Sequence, residues 1–196
     1  MTAASTPKGE RRKQALIEAA AQLLAEGGFG ALRHRAVAER ADVPLAATTY
    51  YFDSLDELIT AAVRYTAEQE LNYSRSRLER ITEGEHATEA VIELVLDAVL
   101  GPAPSSEGLE RTLLRYEGLI ATSRRPYLAP VTKDLGRQLH SLLSEIFART
   151  GRPLKDDRVR QVLALVDGAV VGALIESNPD PRQAARVMLA SALAGE

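Results

Sequence analysis

Apolar residues recur every three or four positions along almost the whole chain, and nowhere do they alternate convincingly with polar ones. That period is the mark of helices that bury one face. In the first such segment, residues 11–26, Leu16, Ala20, Leu23 and Leu24 form a stripe that Ile17 widens. Gly27-Gly28 ends it, because glycine takes up the left-handed conformation at a helix end. A second helix is predicted over 33–41, burying Val37 and Ala41, and Asp42-Val43 turns the chain. Pro44 suits the first turn of a third helix, where its missing N–H costs nothing; that helix runs to about Tyr51. A fourth begins at Asp53-Ser54, either of which can cap it, with Asp56 and Glu57 at the positive end of the dipole. It carries Leu58, Ile59, Ala62 and Tyr65 and continues to about Ile81. A fifth spans 86–100, with Val91, Leu94, Val95 and Ala98 on one face. Beyond the Gly-, Pro- and Ser-rich loop 101–108, helices are predicted at 109–123, 127–149, 156–177 and 180–194. The fold class is all-α, a three-helix N-terminal head followed by a helical body.

Composition narrows the chemistry. The chain has no cysteine, so disulfides, thiolate catalysis and cysteine-based zinc sites are excluded. No apolar run reaches the roughly 18–20 residues of a membrane span, and residues 1–9 lack the apolar core of a signal peptide and read as a disordered leader. A cytoplasmic location is expected. His34, His86 and His140 show no metal-ligand spacing; Ser141 and Ser144 lie near His140, but no acid completes a triad. No cofactor, metal site or enzyme activity is expected. The net charge of −3 conceals an asymmetry: residues 1–52 carry seven basic against five acidic side chains, leaving −5 for the rest. A basic arm on an acidic body suits docking one end on DNA.

The segment from Arg33 to Phe52 gives that reading its content. Two short helices joined by a tight turn, behind a basic arm, are the parts of a helix-turn-helix, in which the second helix enters the major groove. Leu45, Ala46 and Ala47 offer apolar contacts, for instance with thymine methyls, and Thr48, Thr49 and Tyr50 add hydroxyls. With no Arg, Lys, Asn or Gln on the third helix, DNA shape must supplement direct readout. Phosphate grip falls to Arg33, His34, Arg35, Tyr50 or Tyr51, and to Lys8, Arg11 and Arg12 of the arm.

Residues 11–63 resemble the DNA-binding domain of the TetR family of bacterial transcriptional regulators. The resemblance rests on the amphipathic first helix, Gly27-Gly28-Phe29, the run Ala36-Val37-Ala38-Glu39-Arg40-Ala41-Asp42-Val43, the Tyr50-Tyr51-Phe52 end and the acidic start of the fourth helix. There are departures. The family usually has Thr where Arg33 stands, Gly at Asp42, a Leu-Tyr pair at Thr48-Thr49, and at Leu55 a lysine that grips the DNA backbone. The resemblance implies a head over 10–54 and an effector-binding and dimerisation domain over 55–196.

In the body, Gly168 and Gly172 lie four apart with Ala169 and Ala173 beside them, and glycine costs a helix roughly 1 kcal/mol each. With Leu165, and with Val187, Met188 and Ser191 of the last helix, they are the candidate dimer face. The resemblance implies a homodimer closed by a four-helix bundle of the last two helices and their mates. It also places the effector pocket around helix 109–123, where Arg115, Tyr116 and Glu117 are candidate ligand contacts, followed by Tyr127 and His140. The expected protein is a homodimeric repressor that binds a palindromic double-stranded operator and is released by a small hydrophobic effector. The alternatives are a regulator without such an effector, and a small-molecule-binding protein with a degenerate head.

Overall fold

The computed structural model describes residues 6–84, 86–102 and 108–194. Among these residues there are nine α-helices and no strand: α1 (Pro7–Ala31), α2 (His34–Arg40), α3 (Ala46–Tyr51), α4 (Leu55–Glu79), α5 (Thr88–Leu100), α6 (Gly108–Thr122), α7 (Ala129–Arg149), α8 (Asp156–Ile175) and α9 (Pro181–Ala194). A short 3-10 helix, Pro126–Leu128, precedes α7. The chain divides into two compact units, one made of residues up to 68 with 117–132, the other of 69–116 with 133 onward. Residues 117–132, the end of α6 and the start of α7, belong to the first unit.

In the first unit α1 begins at Pro7, where the Thr6 hydroxyl accepts the Gly9 N–H at 3.2 Å. Residues 7–9 are therefore helical, although the sequence suggested a disordered leader, while residues 1–5 lie outside those described. A cap at Thr6 and a proline at the first helical position suffice to carry the helix back beyond its apolar stripe. Gly27 and Gly28 interrupt α1 as expected, Gly28 at φ +61°, and a last helical turn follows through Phe29. The core closes on Leu16, Ala20, Leu32, Val37, Phe52 and Leu58, all at most 2% exposed. Ala38 is buried and Ala41 only half-buried, so the inner face of α2 lies one residue from where the pattern put it.

Two details fix the reading head. Arg40 donates to both carboxylate oxygens of Glu26, at 2.8 and 2.7 Å, and joins α2 to α1. The same hydrogen bonds hold the Glu26 carboxyl below its ordinary range. At the turn, Asp42 takes φ +51°, a conformation that Asp tolerates better than most residues, and the Val43 N–H bonds to the Ala38 carbonyl at 3.1 Å. Of the two candidate caps of α4, Ser54 serves: its hydroxyl accepts the Glu57 N–H at 3.1 Å, while the Glu57 carboxylate accepts the Asp53 N–H at 2.7 Å. The pair resembles a capping box, with the carboxylate set on the N–H one residue before the cap.

The second unit is organised around α5. Its Val91, Ile92, Leu94, Val95, Leu96 and Val99 are all buried, a wider arc than a single stripe, while Glu89 and Ala90 are exposed. Phe147 and Ile146 of α7, Val162 and Val166 of α8 and Leu189 of α9 complete this core. One acid sits inside it: Asp97, 2% exposed, pairs with Arg182 at 2.5 Å and with Arg77. Arg182 also donates to the Gly101 carbonyl at 2.9 Å and to Glu93 at 3.1 Å. Arg186 extends the cluster to Glu93 and Glu89, at 2.6 and 3.0 Å.

Candidate nucleic-acid interface

The helix-turn-helix is present in the first unit, with α2 packed on α1 and α3 on both. Its surface residues sort clearly. Leu45 is 52% and Tyr50 80% exposed. Ala46 and Thr49 are exposed, and Ala47 and Tyr51 are half-buried. The Tyr50 and Tyr51 rings meet edge to face at 4.9 Å. Large exposed apolar groups cost solvation unless something covers them, and here they project from the helix that the fold offers to a groove.

Thr48 corrects the sequence reading. It is fully buried, and its hydroxyl donates to the Leu45 carbonyl at 2.8 Å, so its side chain belongs to the head's interior and not to the DNA-facing set. A six-residue helix presents only about half its positions outward. Spacing alone did not say which ones.

The candidate phosphate contacts surround this face. Arg33 stands at the N-cap of α2 in extended conformation, its side chain making no cap bond and instead donating to the Leu32 carbonyl at 3.0 Å. It is exposed, as are Arg35, Lys8, Arg11 and Arg12. Arg35 is held by Glu39 at 2.9 Å and Arg11 by the Pro7 carbonyl at 3.2 Å. Both would exchange a surface bond for a phosphate, a modest loss in water. His34 is half-buried, and its Nδ1 is buried without a partner.

The candidate ligand residues do not converge. In the second unit the Tyr116 hydroxyl donates to Asp167 at 2.8 Å, and Arg115 pairs with Glu70 at 2.6 Å. Burial first, and then the Asp167 carboxylate, push the Tyr116 phenol well above its ordinary range. His140 lies 3.7 Å from Asp156, distant from hydrogen-bond contact. In the first unit Glu117 is exposed and borders a shallow groove with Ile120, Ala121, Arg124 and Arg125. Tyr127 is raised by burial, then by Asp56. Sequence reasoning missed Arg125, whose guanidinium lies 4.1 Å over the Phe29 ring. The apolar spacing of α1 gives no hint of that cation–π contact.

The candidate dimer face is the most sharply defined. Leu165, Gly168, Ala169, Gly172, Ala173, Val187 and Met188 line one groove of about 610 Å³ on α8 and α9. Val187 is 57% and Met188 45% exposed. A Cβ built on Gly168 or Gly172 would meet nothing within 4 Å, so no neighbour within the chain accounts for the two glycines. Ser191 is exposed on α9 but does not border the groove.

Among the described residues no helix is long and apolar enough to cross a membrane. Residues 16–62 match a family described as bacterial regulatory proteins, tetR family. Residues 86–195 match the tetracyclin repressor-like C-terminal domain. The search of curated proteins gave no match. Among solved structures, the chain is 30% identical to the multidrug binding protein EbrR complexed with proflavin, covering 92% of this chain and 98% of that one at a TM-score of 0.63. EbrR complexed with ethidium is 28% identical, over 92% and 96%, at 0.64. A TetR transcription regulator from Haloarcula marismortui ATCC 43049 shares the fold, with 18% identity over 93% and 96% and a TM-score of 0.71.

Proposed function

The chain belongs to the TetR family of bacterial transcriptional regulators, and from that premise we propose that it is a homodimeric repressor, released from a palindromic operator by a small hydrophobic effector. The open glycine groove on α8 and α9 carries the dimer. Two glycines weaken a helix by roughly 1 kcal/mol each, and close approach of a second copy is the gain that offsets them. Dimerisation would set two α3 helices about one DNA turn apart, with Leu45, Ala47, Thr49 and Tyr50 toward the bases and Arg33, His34, Arg35, Tyr51, Lys8, Arg11 and Arg12 toward phosphates.

The complexes of EbrR with proflavin and ethidium support an aromatic, largely apolar effector for this chain. Tyr116, with Asp167 behind it, is its best polar anchor. Arg115, Glu117, Tyr127 and His140 remain candidates. Release requires an effector that binds more tightly to the conformation that cannot hold DNA. α4, which starts in the head, is the proposed lever.

The test is Gly172→Leu, assayed by analytical ultracentrifugation and by anisotropy on the DNA upstream of its own gene. Joint loss of dimer and operator affinity is expected; a stable dimer with full affinity would remove α8 and α9 from the interface. A second reading, a regulator with no small-molecule effector, is favoured by one observation: Arg115 and Tyr116 already have partners in Glu70 and Asp167. A thermal-shift screen separates the two, since a true effector raises the melting temperature with the logarithm of its concentration above Kd.

A further inference from the structure

Both threonines of α3 give their hydroxyl protons to backbone carbonyls one turn back. Thr48 is buried with its proton on the Leu45 carbonyl. Thr49 gives its proton to the Ala46 carbonyl at 3.3 Å, which leaves it able only to accept. Beside the Thr49 and Tyr50 hydroxyls, what α3 offers outward is carbon: Leu45 at 52% exposure, Ala46, and the ring of Tyr50 at 80%. The arginines nearby stand on α2 or at its N-cap, the position from which a helix-turn-helix reaches the backbone rather than the bases.

In the major groove only one base-pair feature complements such a surface. Thymine presents a C5-methyl group, whereas every other edge presents donors and acceptors that an apolar side chain would desolvate without replacing. From this we infer that the operator is read through thymine methyl groups, with Leu45, Ala46 and Tyr50 as the specificity-determining residues and thymines clustered where α3 enters each half-site. The inference rests on the reading of α3 as the groove-entering helix, and it adds the chemistry by which that helix chooses its sequence.

The experiment separates the two levels. The full-length protein is used to enrich bound duplexes from a random pool, and the enriched operator is resynthesised with deoxyuridine at one thymine at a time, which removes only the methyl. Burying a methyl contributes enough for roughly fourfold in affinity, so about fourfold weakening is expected at two or more positions in each half-site. Replacing such a T·A pair with C·G should weaken binding, and 5-methylcytosine at that position should recover part of the loss. Leu45 is exposed, so Leu45→Ala should fold normally and become indifferent to deoxyuridine at one position, which identifies the methyl it covers. If a sequence is enriched but deoxyuridine binds as tightly as thymine throughout, methyl readout is overturned while the DNA-reading head stands. If no sequence is enriched, the head fails as a specific reader and the inference falls with it.

Discussion

Asp97 is a carboxylate almost without solvent, paired with Arg77 of α4 and Arg182 of α9. Breaking a buried pair outright costs about 3–5 kcal/mol, and loss of Arg182 leaves Asp97 with Arg77 alone, so a loss at or below the lower end of that range is expected. Arg182→Met should lower stability in urea unfolding by that order. Adding Asp97→Leu should restore part of the loss, a non-additivity expected of residues in direct contact. Tyr116 tests a different sign. Its folded-state pKa is raised by burial and by Asp167, so its contribution is complete below about pH 10, where an unfolded tyrosine begins to ionise. The contribution is lost as pH rises toward the folded value. Tyr116→Phe should therefore be less stable at pH 8, by about 1–2 kcal/mol for the orphaned carboxylate, yet lose stability less steeply between pH 10 and 11. Urea unfolding at those pH values checks both statements.

Helix ends and helix faces carry the next predictions. Ser54→Ala should cost about 1 kcal/mol, because it strips the Glu57 N–H of its acceptor at the start of α4. Gly168→Ala places a methyl in open space within one chain. Below the dimer dissociation constant it should stabilise the fold by roughly 1 kcal/mol, while raising that constant if a second copy packs there; sedimentation and melting measured on the same variant separate the two effects. At this scale the sequence was largely legible. Apolar spacing located the longer helices, because each has a buried stripe and most have a Gly, Pro or Ser break at the end. It was less informative where bonds rather than burial decide. Thr6 extended α1, α5 turned out to be buried over more than one stripe, and Thr48 turned inward because a helix of six residues is too short for its period to be read. The ion cluster around Asp97 and the stacking of Arg125 on Phe29 join residues far apart in sequence, and no local pattern announces such pairs.

Across the whole molecule, a net charge of −3 means that DNA affinity must come from local basic groups rather than from the overall field. Binding should fall steeply with salt, and Arg33→Ala should reduce the slope of log K against log salt by about 1 while weakening all sequences alike. A Leu45 substitution should leave that slope unchanged. The placement of Asp97 also has a bearing on how the protein is made. Its partner Arg182 lies 85 residues further along the chain, and at about 5–20 residues per second the ribosome needs roughly 4–17 seconds to reach it. Throughout that interval the broad apolar face of α5 and its Asp97 have no α9 to cover them. The helix-turn-helix, whose buried Leu16, Val37, Phe52 and Leu58 are all made early, can close first, and the body passes each synthesis as a sticky intermediate. Cells short of holdase chaperones should therefore lose this protein to aggregation during translation, before its finished stability has any say.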